Sequence, residues 1–273
     1  QLIISDEQAG QLVDDPRIRA VTLTGSDRAG RAVGQRAGRA LKRTVLELGG
    51  SDPFVVLGDA DVERAAAAAV SSRVVNSGQS CIAAKRFVVH EPVLDRFTRL
   101  LVQHMRAVRV GDPMEEETDV GPMAREDLRD ELLDQIARSV EDGARRLAGG
   151  QPLERPGFYV SPCVMTAVHP EHAVGREETF GPVAAVMAAA SEREAVELAN
   201  ATPYGLGASL WTRDLDHAEQ LAGAIQAGSV FINEVVKSDP RLPFGGVKRS
   251  GIGRELGAEG IRQLTNVKTV WVA

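Results

Sequence analysis

The stretch AVTLTGSDRAGRAVGQRAGRALKRTVLELGG, residues 20–50, decides the fold. Ala20-Val21-Thr22-Leu23-Thr24 and Thr44-Val45-Leu46-Glu47-Leu48 are apolar runs of strand length rich in β-branched residues, and residues 29–40 between them read as a helix. The first run stops at Gly25-Ser26 and the second at Gly49-Gly50. Parallel neighbours need a crossover of a dozen or more residues, so two parallel strands joined by a helix are the economical reading.

Upstream, residues 6–12 suit a short helix, and Leu2-Ile3-Ile4 reads as a strand already under way. The first residue is Gln1, not Met, which predicts that the chain begins inside a domain. Downstream, strands are expected at 54–57, 86–90, 159–168, 182–187, 207–212 and 229–232. Helices are expected at 61–75, 92–105, 125–142, 192–199 and 214–224. This alternation predicts an α/β layered fold. The tail differs: Gly245, Gly246, Gly251 and Gly253 crowd a short segment, predicting tight turns or close approach to a ligand. A helix at 258–264 and a lone strand at 267–272 follow, and a strand without a hairpin partner in sequence must pair elsewhere, for instance on another subunit.

The chain has 273 residues, enough for about two domains. Its 32 Lys plus Arg against 38 Asp plus Glu give a net charge of −6, so no general pull toward nucleic acid or an anionic membrane is expected. The apolar runs at 65–70 and 183–190 are far short of the ~20 residues a bilayer span needs. Two cysteines, Cys81 and Cys163, cannot make a disulfide framework, and nothing at the start resembles a signal peptide, so the expected location is a reducing cytoplasm.

Cys81 follows Asn76-Ser77-Gly78-Gln79-Ser80, a loop too polar for a core wall. Two readings are open: a nucleophile whose thiolate is stabilised by backbone N–H groups or a cation such as Lys85, or a small buried hydrophobe. Cys163, in an apolar strand, suits the second. Glu47 sits inside an apolar strand, where a carboxylate is costly unless paired or functional. It is either a surface or ion-paired residue, or a general base whose pKa burial has raised. Gly25-Ser26-Asp27-Arg28-Ala29-Gly30 lies where phosphates bind helix N-termini but lacks the full GxGxxG fingerprint. His169-Pro170-Glu171-His172 is not read as a metal site, because Pro170 opposes a helix and no third ligand is near in sequence.

In order along the chain stand Leu46-Glu47-Leu48-Gly49-Gly50, Gly78-Gln79-Ser80-Cys81, Glu177-Glu178-Thr179-Phe180-Gly181-Pro182, Asn200 with Gly205-Leu206, and Pro243-Phe244-Gly245-Gly246-Val247-Lys248 with Ser250-Gly251 and Gly253-Arg254-Glu255. Together they resemble the NAD(P)-dependent aldehyde dehydrogenase superfamily over essentially the whole chain. The resemblance implies an α/β fold with part of a Rossmann-type cofactor domain at 1–49, a catalytic domain at 50–256 and a C-terminal helix and oligomerisation strand at 257–273. It also implies a longer complete protein with further residues upstream.

By that resemblance Cys81 is the nucleophile that forms a thiohemiacetal and then a thioester, and Glu47 is the base that activates water to hydrolyse it. The Cys81 N–H is one oxyanion donor. Gly25 and Ser26 resemble the pyrophosphate-contacting turn, with Gly30 letting the helix pack close; Glu178 resembles the residue gripping the nicotinamide ribose, and Phe180 one lining the nicotinamide pocket. NAD or NADP is the implied cofactor and a homo-oligomer the implied assembly.

Residues 47–57, 76–86 and 238–244 look most like bacterial succinate-semialdehyde dehydrogenases. Some members carry an Arg six residues before the nucleophile, where this chain has Val75. Lys237, Ser238 and Arg241 are the expected grips for a substrate carboxylate. Two other readings stand beside this one: a thiol esterase that keeps Cys81 and Glu47 without hydride transfer, and a scaffold or assembly subunit without dehydrogenase activity.

Overall fold

The computed structural model describes residues 2–273. In chain order its elements begin α1 (Asp6–Asp14), β1 (Ala20–Thr24), α2 (Asp27–Arg39), β2 (Arg43–Glu47), β3 (Pro53–Val56), α3 (Val62–Val74), β4 (Arg86–His90), α4 (Glu91–Ala107) and α5 (Glu126–Glu141). They continue with β5 (Arg145–Ala148), β6 (Cys163–Thr166), α6 (Ala173–Arg176), β7 (Val183–Ala189), α7 (Glu192–Asn200), β8 (Gly207–Trp211), α8 (Leu215–Ala224), β9 (Ser229–Ile232), β10 (Gly251–Ile252) and α9 (Gly257–Gln263). The chain divides into two compact units. One is built from the segments up to Gly49 and from Lys237 onward; the other runs from Gly50 to Val236.

In the first unit, β1 and β2 are parallel and joined by α2, as the sequence predicts, with Thr24 opposite Glu47. Ser26 caps α2 by accepting from the Ala29 N–H. The third strand is β10, antiparallel to β2, with Gly251 opposite Glu47 and Ile252 opposite Leu46. The glycine-rich tail was expected to make tight turns or to approach a ligand. It adds this short pairing because the Leu48 N–H donates to the Ser250 carbonyl at 2.9 Å and the Ser250 hydroxyl to the Gly49 carbonyl at 2.7 Å. These bonds place residues 237–256 in the same compact unit as the chain's first segment, whereas the sequence groups them with the residues before them.

Two expected strands do not form among the described residues. Leu2-Ile3-Ile4 lies outside any ladder, with Leu2 and Ile3 exposed. Residues 267–272 also join no ladder and present Val267, Val270, Trp271 and Val272 to solvent. A strand needs hydrogen-bonding neighbours, and within one chain these segments have none.

The second unit is a seven-stranded sheet in the order β5-β6-β7-β4-β3-β8-β9, parallel except for β5 at one edge. Its central strands are buried on both faces, which is why they read as continuous apolar runs without alternation. Phe54, Val56, Phe87 and Val89 point to the face covered by α3 and α4, where Phe54 stacks on Trp211 at 5.3 Å and Ala65, Ala66 and Ala69 let α3 approach closely. Val55, Leu57, Val88 and Met187 point to the other face, against Leu132 and Ile136 of α5, Ala195 of α7 and Ala218 of α8. The edge strand β5, Arg-Arg-Leu-Ala, carries two charges and escapes a search for apolar runs. Among the described residues no helix is long and apolar enough to cross a membrane.

Candidate active site

Helix α3 ends at Val74, seven residues before Cys81, and the chain then makes a tight turn in which Asn76, Ser77 and Gly78 all have positive φ (49°, 57° and 75°). Two successive non-glycine residues there are uncommon and store strain. The surroundings hold them. The Asn76 side chain donates to the Gln79 carbonyl at 2.9 Å, Ser77 Oγ accepts from the Gly121 N–H at 3.0 Å, and Gln79 Oε1 accepts from the Ala124 N–H at 2.8 Å. Gly78 is required, because a Cβ would lie 2.4 Å from the Gly181 carbonyl carbon. The polar residues of this loop are thus the clamps of one backbone shape, and Cys81 sits at its end, half-buried.

Under Cys81 lies a cluster of buried ions. Lys85 is wholly buried, and its Nζ donates to the carbonyls of Ser80 (3.0 Å), Cys81 (2.9 Å) and Ala83 (3.0 Å). It stands 3.8 Å from Glu178 Oε1, which accepts from the Gly50 N–H at 2.9 Å. Gly50 itself must lack a side chain, since a Cβ would lie 2.7 Å from the Cys81 carbonyl oxygen. Asp52, also buried, accepts from the Gly207 N–H at 3.1 Å through Oδ1, while Oδ2 has no partner. Arg73 donates to the Gly78 carbonyl at 2.7 Å, and Arg86 to the carbonyls of Ser51, Leu198 and Ala199.

Burial raises the Asp52 carboxyl pKa, opposed by the Lys85 charge, and lowers that of the Lys85 ammonium, opposed by Glu178 and less by Asp52. Burial also pushes the Cys81 thiol up. Lys85 pulls it back, Asp52 and Glu178 push it further up, and the Ile82 N–H favours the thiolate. Cys163 is buried outright in β6, with its thiol pushed up to about 12 by desolvation, which fits an inert core residue.

In the first unit, Glu47 ends β2 with only 4% of its surface exposed, and neither carboxylate oxygen has a hydrogen-bond partner. Burial, with a lesser push from Glu255, raises its pKa to about 7 against a smaller pull from Arg254. Of the two readings of Glu47, the environment fits the buried, unpaired carboxylate and not a surface one. Gly25 and Ser26 are exposed at the start of α2, and Gly30 faces Leu48 so closely that a Cβ would lie 2.5 Å from its methyl groups. Lys237, Ser238 and Arg241 are exposed in the same unit, and the Arg241 guanidinium is engaged by Asp239 at 2.9 and 2.5 Å. Phe180, in the second unit, is half-buried in the loop before β7.

Within the second unit the fold therefore brings Cys81, Lys85 and Glu178 together, while Glu47, Gly25, Ser26, Gly30, Lys237, Ser238 and Arg241 belong to the first unit. Asp52 and Arg73 were missed as members of the Cys81 neighbourhood. The available signal was a charge beside an apolar strand in one case and a charge inside an Ala-rich helix in the other. In the first unit, the start of α2 suits a phosphate. The first backbone N–H groups of a helix lack intrahelical partners, and the Ser26 hydroxyl takes only that of Ala29, leaving amides for a phosphate. Glu178 keeps 20% of its side chain exposed, enough to accept from a ribose hydroxyl.

A model described as "Aldehyde dehydrogenase family" matches residues 2–270. Succinate-semialdehyde dehydrogenase (NADP(+)) 1 of Mycobacterium tuberculosis is 52% identical over 272 residues, covering 100% of this chain and 60% of that protein. Among solved structures, succinic semialdehyde dehydrogenase from Streptococcus pyogenes in complex with NADP+ matches with a TM-score of 0.96 at 38% identity, over 99% of this chain and 60% of that one. Lactaldehyde dehydrogenase from Escherichia coli matches with a TM-score of 0.94 at 34% identity, over 97% of this chain and 56% of that one. The chain thus spans about 60% of the length of these curated relatives.

Proposed function

Because the chain belongs to the aldehyde dehydrogenase family, we propose that it serves the oxidation of a small aldehyde, with succinate semialdehyde the leading candidate, to the carboxylic acid. The relatives' names favour that substrate and favour NADP over NAD. The observation that carries the reading is the Cys81 loop, a half-buried thiol on a strained, clamped turn above a buried ammonium.

The Cys81 thiol gives its proton to solvent water, and Sγ adds to the aldehyde carbon as the carbonyl oxygen becomes an oxyanion held by the Cys81 N–H. Collapse of the oxyanion expels hydride from that carbon and leaves a thioester on Cys81. A nicotinamide cofactor, when bound, supplies the hydride acceptor. Glu47 then takes a proton from water, the hydroxide adds to the thioester, and Cys81 leaves as the thiolate. Gly25 and Ser26 hold the pyrophosphate on the amides of α2, Gly30 keeps that helix close to Leu48, Glu178 binds the nicotinamide ribose and Phe180 lines its ring. Lys237, Ser238 and Arg241 form the grip for a substrate carboxylate, which must share Arg241 with Asp239. Exposed residues 267–272 are the proposed pairing segment of a homo-oligomer, and the thiol chemistry suits a reducing cytoplasm.

The test is NAD(P)H formation from succinate semialdehyde, with Cys81→Ala expected to lower the rate ~10³-fold or more. Ester hydrolysis without NAD(P)H would replace this reading with a thiol esterase. Neither activity would leave the scaffold reading.

A further inference from the structure

Lys85 has no part in the steps above, yet it is a wholly buried ion with every donor satisfied. Its three donors meet three carbonyls, all on the loop that carries the nucleophile. An ammonium offers three donors and no acceptor, so it alone among side chains matches three converging oxygens at one point.

The consequence follows from peptide geometry. Across a trans peptide the C=O and the next residue's N–H point in opposite directions, and the described chain has no cis peptide. With the Ser80 carbonyl drawn onto Lys85, the Cys81 N–H must point away from it. With the Cys81 carbonyl drawn the same way, the Ile82 N–H must also point away, and its dipole favours the Cys81 thiolate. One buried cation thus fixes two outward amides. One is the oxyanion donor assigned above, and the other supports the thiolate.

Resting on the reading of Cys81 as nucleophile, we propose that Lys85 is a positioning residue. It aims the Cys81 and Ile82 N–H groups by holding the Ser80, Cys81 and Ala83 carbonyls, and it supplies the positive charge that favours the Cys81 thiolate. The charged groups facing the pair within this unit are Glu178 and Asp52, both acidic, with Arg73 beside Lys85 and Arg86 beside Asp52. Lys85 is therefore the cation that acts on the sulfur, against two carboxylates.

The experiment reads Cys81 itself and needs no cofactor. Alkylation by iodoacetamide is followed across pH by mass spectrometry, with Cys81→Ala as the blank. In Lys85→Met the midpoint should rise by about one unit. Below the midpoint the rate should fall roughly threefold, because tenfold less thiolate is partly offset by its greater nucleophilicity. Lys85→Arg, which keeps charge and donors, should restore most of the midpoint. Reversible addition of a trifluoromethyl ketone, which needs oxyanion donors as well as thiolate, should weaken by a further factor of about ten in Lys85→Met.

Should Lys85→Met leave two buried carboxylates too poorly paired to fold, Glu178→Gln is compared with Glu178→Gln/Lys85→Met, where the same one-unit difference is expected. An unmoved midpoint with and without Lys85 overturns the electrostatic role, whatever happens to thermal stability. Equal losses with the two probes overturn the aiming role. Both results stand apart from the dehydrogenase assignment, which fails on its own if no NAD(P)H forms while Cys81 still shows these shifts.

Discussion

Lys85 and Glu47 are both almost fully buried ions, and they are provided for in opposite ways. Lys85 has all three donors satisfied by carbonyls and a carboxylate 3.8 Å away, whereas both oxygens of Glu47 lack any partner. A buried charge that is fully bonded fixes a backbone, because moving it would strand several polar groups at once. A buried carboxylate with no bonds is poised to hold or release a proton near neutrality, since desolvation opposes its charge. The first arrangement suits positioning and the second suits proton transfer.

The sharpest way to break this contrast is to make Glu47 unable to take a proton. In Glu47→Gln, acylation of Cys81 should survive while thioester hydrolysis falls by ~10²–10⁴-fold, the usual worth of a general base. Intact-mass spectrometry should then show an accumulated acyl adduct, and the rise of the hydrolytic rate through about pH 7 should disappear. A variant that hydrolyses its thioester at the parent rate would leave Glu47 a structural residue like its neighbours.

The same carboxyl should mark stability. Its pKa is raised from 4.5 unfolded to about 7 folded, so the folded state binds the proton more tightly. Its favourable contribution is full below pH 4.5 and is lost as pH rises through about 7. At about 1.4 kcal/mol per pKa unit the loss is about 3–4 kcal/mol at most. Denaturation at pH 5 and pH 8 should show the parent losing stability relative to Glu47→Gln, and parallel curves would contradict the unpaired burial.

How far this contrast was legible in sequence depends on the range of the partners. Glu47 could be singled out because its neighbours in the strand are apolar, and the βαβ segment because two apolar runs flank one helix. The Cys81 loop stood out for its run of polar and small residues. Asp52 did not, since the N–H that its carboxylate accepts belongs to Gly207, far along the chain. The pairing of β10 with β2 escaped for the same reason: its bonds run from 250–252 back to 46–49. The charged edge strand β5 lacks an apolar pattern because only one neighbour, β6, pairs with it.

Arg73 extends the bonded side of the comparison. It is buried and holds the Gly78 carbonyl at 2.7 Å, at the positive-φ residue before the nucleophile. Arg73→Met keeps the bulk and strands that carbonyl, which should cost about 2 kcal/mol. For a protein of this size the melting temperature should fall by about 4–8 °C. If stability were unchanged, the Gly78 carbonyl would have found another partner, and the bonded ions would be less committed to the loop than their geometry states.

The smallest effect is the most useful control, because it weakens the fold without touching either ion. Asp61 caps α3 by accepting from the Arg64 N–H at 3.1 Å, at the end of the helix opposite the Cys81 loop. Asp61→Ala removes one acceptor from the first turn and an acidic charge from the positive end of the helix dipole, together worth about 1 kcal/mol. Fraying of that turn stops where Ala65, Ala66 and Ala69 lock the helix under the sheet, so the strained turn at 76–78 keeps its clamps. Calorimetry should record a fall of about 2–4 °C, while the pH midpoint for Cys81 alkylation stays where it is in the parent. A midpoint that moved with this variant would mean that thiol reactivity merely follows overall stability, and the distinction between a positioning ion and a structural one would fall with it.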